Sequence, residues 1–481
     1  VIAWIGEFDE PRWLLPLGLA LFYVLGVLHV LHVLMHGRTA QGTVAWIVSM
    51  IAVPWVAIPF YWIAGRRRFS GYIHARRAED AGLRRISDDL HRRVREYAVE
   101  PGDRFSRAAE HLGGLPFTRG NRLDLLIDGR ETFDALFEAI HGARRYLLIN
   151  FFIVKNDLVG QRFRRALIDK ARAGVRVYFL FDEIGSHKLS HRYLRELTDA
   201  GVECRSFGVN RHWWSRFQIN FRNHRKIVVI DGDEAYLGGL NVGEEYLGRD
   251  ERFGGWRDTH LRLRGPSVQA VQLVFLEDWN WAAGSLPPDL GWAGDPEDSD
   301  QTAVILPTGP ADRADSWQLI VAETANTAEK RLWIASPYFV PDPGVLTALQ
   351  TAALRGVDVR ILIPEKADHL TVWLAAFSFY RDVLPYGVRI MRYQTGFLHQ
   401  KVMLVDDRYA FVGTANLDNR SFRLNFEITA LSTDPVFIDQ VTRMLERDLE
   451  NACSAKLSDL DERSFPFLVA VRVARLFAPI L

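Results

Sequence analysis

Two strings in this sequence set an imidazole beside an ammonium at the same spacing: NHRKIVVIDGDEAYLGGLN from Asn223 and LHQKVMLVDDRYAFVGTAN from Leu398. Each reads His-x-Lys-x4-Asp and then Gly-x-x-Asn. The residues are His224, Lys226, Asp231, Gly238, Gly239 and Asn241 in the first, and His399, Lys401, Asp406, Gly413, Thr414 and Asn416 in the second. One such pattern in a long chain is a weak signal; two with the same continuation are a strong one. On a strand, His and Lys two apart share a face. Such a face suits a phosphate diester. The ammonium and the Asn amide can hold the non-bridging oxygens, where negative charge builds as phosphorus becomes five-coordinate. One imidazole then attacks while a second protonates the leaving alkoxide, giving a phosphohistidine that another alcohol captures. At neutral pH this requires one ring neutral and the other protonated, a split within reach of an imidazole pKa of about 6.5. Candidates to fix the tautomers are Asp258 in GWRDTHLRLRGP and Glu427 in NFEITAL, each on the β-like stretch downstream of the histidine in its own string. Asp231 and Asp406 close apolar runs seven residues beyond His, on the opposite face by period two, and read as structural holders of the strand end.

A repeat must position these strings. ARRYLLINFFIV from Ala143 and ARAGVRVYFLF from Ala171 are answered by EKRLWIASPYFV from Glu329 and ALRGVDVRILI from Ala353. A short β-rich run, an amphipathic helix, a glycine and a second β-branched run spell a β-α-β unit with buried strands. Each copy continues through a Gly-Val-led strand, at Gly201 and Gly387, to its motif strand. This predicts an α/β fold of two halves related by pseudo-twofold symmetry, each a largely buried sheet flanked by helices. The two imidazoles would then flank one phosphorus. The halves are placed at 115–300 and 301–450, with GDPEDSDQ and Pro307 to Pro310 marking the seam. An insertion in the first half, 211–222, interleaves Arg with Trp213, Trp214, Phe217 and Phe221 and suits phospholipid headgroups better than stacked nucleobases. The apolar stretch 369–380 reads equally as the lining of an acyl-chain channel or as a core helix.

Ahead of the repeat, residues 13–35 and 43–64 contain no Asp, Glu, Lys or Arg, and each matches the roughly 20 apolar residues that cross a bilayer. With seven residues between them, they predict a two-helix transmembrane hairpin over 1–65 rather than a signal peptide. His29 and His32 in the first span read as packing or interhelical bonding rather than metal ligands. Arg66, Arg67, Arg68, Arg76, Arg77, Arg84 and Arg85 follow the second span, against Arg38 alone in the connection, which puts the bulk of the chain in the cytoplasm. Residues 66–114 read as an interfacial helical linker, with 75–98 as a solvated or headgroup-facing helix. Residues 451–481 read as a C-terminal interfacial segment, since the tail from Phe465 is too short to span comfortably. The 481 residues carry 59 Lys plus Arg against 59 Asp plus Glu, so no overall positive field favours nucleic acid as a partner. Cys204 and Cys453 fit no disulfide or zinc pattern and read as small buried hydrophobes. No residue pattern points to an oligomeric state.

The twin strings resemble the signature of the phospholipase D superfamily. Within it, GGLNVGEEYLGRD, WRDTHLRLRGP, SPYFVPD and GTANLDNRSFRLNFE are similar to bacterial cardiolipin synthases, over essentially the whole chain. The resemblance implies a phosphatidyltransferase of the cytoplasmic membrane. One phosphatidylglycerol donates its phosphatidyl group to histidine, glycerol leaves, and a second phosphatidylglycerol accepts the group to give cardiolipin, with neither metal nor organic cofactor. It implies a catalytic set of His224, Lys226, Asp231, His399, Lys401 and Asp406, phosphate contacts from Asn241, Asn416, Thr414 and Gly239, and orientation of the histidines by Asp258 and Glu427. Gly239 departs from the superfamily, which often has Ser there. Both halves carry complete sets; the shorter acid in WRDTH favours His224 as nucleophile. Phosphatidylethanolamine as second substrate, a phosphodiesterase or nuclease, and a silent membrane scaffold are the competing readings.

Overall fold

The computed structural model describes residues 14–37, 40–65, 81–208, 220–292 and 294–481. Arg38, the arginines at 66–68, 76 and 77, and residues 211–219 of the insertion lie outside the described residues, and with them the charge asymmetry and the headgroup reading. The chain divides into two compact units, Val1–Arg68 with Val209–Asn220, and Phe69–Gly208 with Phe221–Leu481.

In the first unit, helix Leu14–His36 packs against helices Ala40–Ala52 and Pro54–Ala64. The apolar stretch 43–64 is therefore not one continuous helix. Val53 sits at φ −142°, ψ 61° because the ring of Pro54 disfavours helical geometry in the residue before it, and Pro54 then opens the next helix, where its missing N–H costs nothing. Among the described residues one helix, Pro16–His36, is long and apolar enough to cross a membrane. Val33 is buried against the neighbouring helices, while Leu17, Leu21, Val24, Val27, Leu28, Leu31 and Leu34 are each more than half exposed. Its polar groups are satisfied between helices, His29 Nε2 accepting from Trp62 Nε1 at 2.8 Å and His32 Nδ1 lying 2.8 Å from Tyr61 Oη. Gly26 permits the close approach, since a Cβ there would meet Met50 O at 2.6 Å.

The second unit is built on a 16-stranded sheet. Strands Thr118–Ile127 and Gln301–Thr308 pair antiparallel in its middle. Outward from the first lie Thr259–Arg264, Glu234–Gly238, Ile227–Ile230, Tyr146–Phe151, Arg176–Asp182 and Glu203–Phe207. Outward from the second lie Asn425–Ser432, Tyr409–Gly413, Val402–Val405, Arg331–Ala335, Asp358–Pro364, Arg389–Tyr393 and a further strand, Ala452–Ser454. The same order of strands is thus written twice. Tyr146–Phe151 and Arg176–Asp182 are parallel across helix Leu158–Arg172, as are Arg331–Ala335 and Asp358–Pro364 across Pro343–Leu354, so both β-α-β units form where the apolar runs place them. Alternate side chains serve different cores: Leu147 and Ile149 pack outward, Leu148 inward. The inner core is common to both sets of strands, joining Leu148, Val229 and Leu261 to Leu404, Val412 and Ile428 around helices Ser267–Ala283 and Pro435–Glu450.

Four expectations from the sequence shift. Pro307 lies within a central strand opposite Ile428, so the connection between the halves is the segment before Gln301. Helix Ala81–Val94 is not wholly solvated, because Leu90 and Val94 enter the inner core. Helix Arg104–Gly113, capped by Asp103 accepting from Ser106 N at 2.8 Å, buries Phe105 and Ala109 in the outer core of the second half and is more than a linker. Cys204 is half-buried and Cys453 exposed, so neither is a fully buried hydrophobe.

Candidate active site

His224 and Lys226 lie in the extended segment between the two-residue strand Arg222–Asn223 and strand Ile227–Ile230. Arg222–Asn223 pairs in parallel with the start of the strand Asn425–Ser432, Asn223 standing opposite Phe426, and His224 N donates to Phe426 O at 3.0 Å. One residue further on, the register sets His224 beside Glu427. The other string repeats the device. Phe397–Leu398 pairs in parallel with Trp256–Arg257, and His399 N donates to Arg257 O at 2.8 Å, which sets His399 beside Asp258.

The histidine–acid pairs are therefore crossed between the halves. His224 Nδ1 lies 2.9 and 3.0 Å from the two oxygens of Glu427, and His399 Nδ1 lies 2.7 Å from Asp258 Oδ2. Sequence order assigns each acid to the histidine upstream of it; the structure reverses both assignments, because the strand that carries each acid runs beside the other half's motif. A carboxylate only accepts, so at His224 Nδ1 carries the proton and Nε2 keeps its lone pair; at His399 the carboxylate favours the same tautomer, although Lys401 Nζ also lies 2.9 Å from Nδ1.

Burial lowers both imidazoles to a pKa of about 4, against the pull of Glu427 on His224 and of Asp258 on His399, with the nearby lysines adding to the depression. Both shifts favour the neutral ring, so the fold alone does not create one neutral and one protonated ring. Burial also pulls Lys226 well below its ordinary value and Lys401 down to about 8. Burial alone would raise the two acids. Lys401 and His399 outweigh it at Asp258, and His224, Lys226 and Thr414 outweigh it at Glu427, so both stay ionised. The lysines reach back to their own strings: Lys226 Nζ donates to His224 O at 2.7 Å, and Lys401 Nζ donates to His399 O.

Asp231 and Asp406 stand at the far ends of their strands. Asp231 accepts from the backbone N–H groups of Arg144, Arg145 and Tyr146, and Asp406 from those of Glu329, Lys330 and Arg331. Each anchors the start of the neighbouring strand and touches neither histidine.

The four residues assigned to phosphate are mostly engaged elsewhere. Thr414 Oγ1 donates to Glu427 Oε2 at 2.6 Å, and Ser421 Oγ donates to Glu427 Oε1 at 2.8 Å. Asn241 accepts from Ile153 N at 3.0 Å and donates to Tyr246 Oη at 2.8 Å. Gly239 N donates to Thr259 O at 3.0 Å. The amide of Asn416 is the least committed: its one contact, to Asp418, is 3.4 Å long, and its Oδ1 is buried without a partner among the described residues. The departure at Gly239 has a steric cause. A Cβ there would lie 1.9 Å from Asp258 Oδ1, so the space that a serine would fill belongs to the acid that orients His399. Gly239→Ser is expected to displace Asp258 and lower turnover by about tenfold to a hundredfold with little loss of thermal stability. Steady-state assay beside thermal unfolding checks this.

Sequence reasoning missed the buried carboxylates behind the motifs. Asp278, on helix Ser267–Ala283, accepts from Arg225 Nη1 at 2.7 Å and Asn223 Nδ2 at 2.9 Å, and Arg225 Nε donates to Glu427 O at 3.0 Å. Asp448, on helix Pro435–Glu450, takes Arg257 at 2.6 and 2.8 Å and Gln400 Nε2 at 2.7 Å. Asp448 thus ties the residue after His399 to the strand that leads to Asp258, while Asp278 holds the Arg225 that bonds the backbone of Glu427. A signal existed for Asp278, which interrupts the apolar run VQLVFLEDWNW. Asp448→Ala leaves the buried Arg257 guanidinium with Asp128 at 3.1 Å as its charged partner and the backbone oxygen of Asp258 at 2.8 Å, and is expected to cost about 3 kcal/mol of stability, the lower end for breaking a buried pair. Denaturant unfolding in detergent measures it, and Asp448→Asn should lose less.

Comparison with known proteins follows the same division. Residues 136–253 and 321–449, one stretch in each half, match the family model described as cardiolipin synthase, PLD-like domain. Cardiolipin synthase A of Pseudomonas putida (strain W619) is 45% identical over 468 residues, covering 96% of this chain and 98% of that protein. This chain belongs to the cardiolipin synthase family. Cardiolipin synthase A of Pseudomonas aeruginosa (strain LESB58) is 44% identical over 487 residues, with 98% of each chain covered. Among solved structures, phosphatidylserine synthase from Haemophilus influenzae Rd KW20 superimposes with a TM-score of 0.59 over 79% of this chain and all of its own. At 15% identity that likeness speaks for a shared fold. The family match covers both strings and the strand Asn425–Ser432 that carries Glu427, and stops just short of Trp256–Arg257; no described group of three or more His, Cys, Asp or Glu is arranged to hold a metal ion.

Proposed function

We propose that this chain joins two phosphatidylglycerol molecules into cardiolipin, releasing glycerol, at a single site shared by two halves related by a pseudo-twofold axis. The observation that carries the reading is the pair of crossed histidine–acid contacts, each leaving an oriented Nε2 lone pair. His224 is the proposed nucleophile. Its acid, Glu427, is held by Thr414, Ser421 and Asn425, which restrains the ring as attack on phosphorus demands. The preference drawn from the shorter acid loses its basis, since Asp258 serves His399.

Attack by His224 Nε2 forms the P–N bond as the P–O bond to glycerol breaks, and protonated His399 gives its proton to the departing oxygen. Burial disfavours the charged form of the ring that donates; a diester anion set against it raises its pKa, so that the ring takes up a proton from solvent as substrate binds. The terminal hydroxyl of the second phosphatidylglycerol then returns a proton to His399 Nε2 and attacks phosphorus, breaking the P–N bond. Lys226, Lys401 and the loosely held Asn416 amide stabilise the charged oxygens of both five-coordinate states. Asp231 and Asp406 serve the scaffold. Helix Leu14–His36 and the kinked pair Ala40–Ala52 and Pro54–Ala64 form a membrane hairpin, with the catalytic halves on the cytoplasmic side of the bacterial inner membrane. Purified protein in vesicles of labelled phosphatidylglycerol tests the reading. Cardiolipin and glycerol in equal amounts are expected; phosphatidic acid as the only lipid product would replace transfer by hydrolysis.

A further inference from the structure

Helix Phe465–Leu476 has two apolar faces, and the protein covers one of them. Val471 and Ala474 are buried on the side that packs against helix Leu370–Phe377, where the rings of Phe467 and Trp373 lie 6.0 Å apart. At roughly 100° per residue, Phe465, Val469, Val473 and Leu476 form a single stripe on the opposite side. They are 78, 44, 48 and 78% exposed. The supporting helix adds Leu370 at 65% exposure, so the stretch 369–380 has a core side and a bare end rather than one role. Arg472, also exposed, borders the stripe. Of the three acidic residues before the helix, Asp459 pairs with Arg392 at 2.9 Å and Asp461 with Arg381 at 2.6 Å, while Glu462 is exposed.

We propose that this stripe lies in the boundary between headgroups and acyl chains of the bilayer that supplies the substrate. The proposal rests on the reading of that substrate as an anionic bilayer phospholipid. A 12-residue helix is too short to span. Large apolar side chains in one row with a basic margin are the chemistry of a helix that lies in the interface plane, and the arginine complements phosphatidylglycerol and cardiolipin headgroups. The stripe also connects to both histidines. Its supporting helix follows Asp368, which accepts from Tyr338 Oη at 2.5 Å and whose charge reaches His399 and Lys401. Past its own end, Leu481 O accepts from Arg420 N at 2.9 Å and Ile480 O from Arg420 Nη1 at 3.1 Å, next to the Ser421 that bonds Glu427. Seating the helix in the lipid interface holds the crossed pairs at headgroup depth, where the diester bonds are.

Full-length protein in phosphatidylglycerol nanodiscs tests this, with Cys204→Ala and Cys453→Ser and a fluorophore on a single cysteine at Val469, Val473 or, as control, Arg443. Labels at Val469 and Val473 are expected to be quenched by lipid-borne spin labels and shielded from iodide, with Arg443 the reverse. The double variant Phe465→Ser/Leu476→Ser should keep its unfolding temperature while turnover on vesicles falls about tenfold. Stripe labels as water-accessible as Arg443, or undiminished turnover of the double variant, overturn the proposal. Failure of the unsubstituted protein to make cardiolipin would instead refute the substrate reading and leave the label depths as a separate result.

Discussion

With His399 replaced by Asn, the protein is expected to lose phosphatidyl transfer by about 10³-fold or more and still to open the reaction with a good leaving group. The two halves of the cycle ask different things of the second imidazole. Glycerol is a poor leaving group and needs a proton as its bond to phosphorus breaks, whereas p-nitrophenolate does not. A p-nitrophenyl ester of phosphatidic acid should therefore release about one equivalent of nitrophenol in a burst from the His399→Asn variant. Turnover then stops, because no base remains to take the acceptor's proton. The phosphatidyl group should be found on His224 by mass spectrometry of the quenched protein. His224→Asn should give no burst with the same ester. The opposite pattern, a burst from His224→Asn and an adduct on His399, would make His399 the nucleophile and overturn that part of the mechanism.

The strings themselves were legible because everything that defines them is local. His, Lys and Asp at fixed spacing, followed by Gly-x-x-Asn, can be read without knowing what packs where, and so can the β-α-β units around 146–182 and 331–364, whose strands pair in the expected parallel sense. The structural reading of Asp231 and Asp406 was also local, since seven residues along a strand reverses the face, and the structure puts both at a strand end bonded to backbone amides. What escaped was set by register between distant segments. Whether Glu427 serves His224 or His399 depends on Asn223 standing opposite Phe426, a fact of two strands 203 residues apart. The reason for glycine at 239 is the carboxylate of Asp258 filling the space, which no property of GGLN announces. Protonation was equally hidden, because burial sets it and the string shows only that the ring exists. The break at Val53 is different in kind. Pro54 stood in plain sight, and the strong apolar character of 43–64 masked a backbone rule that applies whatever the hydropathy.

Crossing of the acids can be read from the same burst. In the His399→Asn background Asp258 has lost the ring it orients, so Asp258→Asn should change the burst rate by no more than about a few-fold, the size expected between sites without a shared partner. Glu427→Gln in that background removes the carboxylate that fixes the tautomer of His224. Gln can present its NH₂ to Nδ1 and draw the proton to Nε2, the atom that must attack, and the burst is expected to slow by about 10³-fold. Loss of Thr414 Oγ should act in the same direction and more weakly, because Ser421 and Asn425 still hold the acid. Thermal unfolding of each variant separates this from damage to the fold, which the buried amide in place of a buried acid should leave largely intact. If pairing ran within each half, Asp258→Asn would slow the burst and Glu427→Gln would not. The two variants thus decide whether either half could act by itself: a nucleophile supplied by residues around 224 and an orienting acid supplied by residues around 427 cannot be separated without losing the first step.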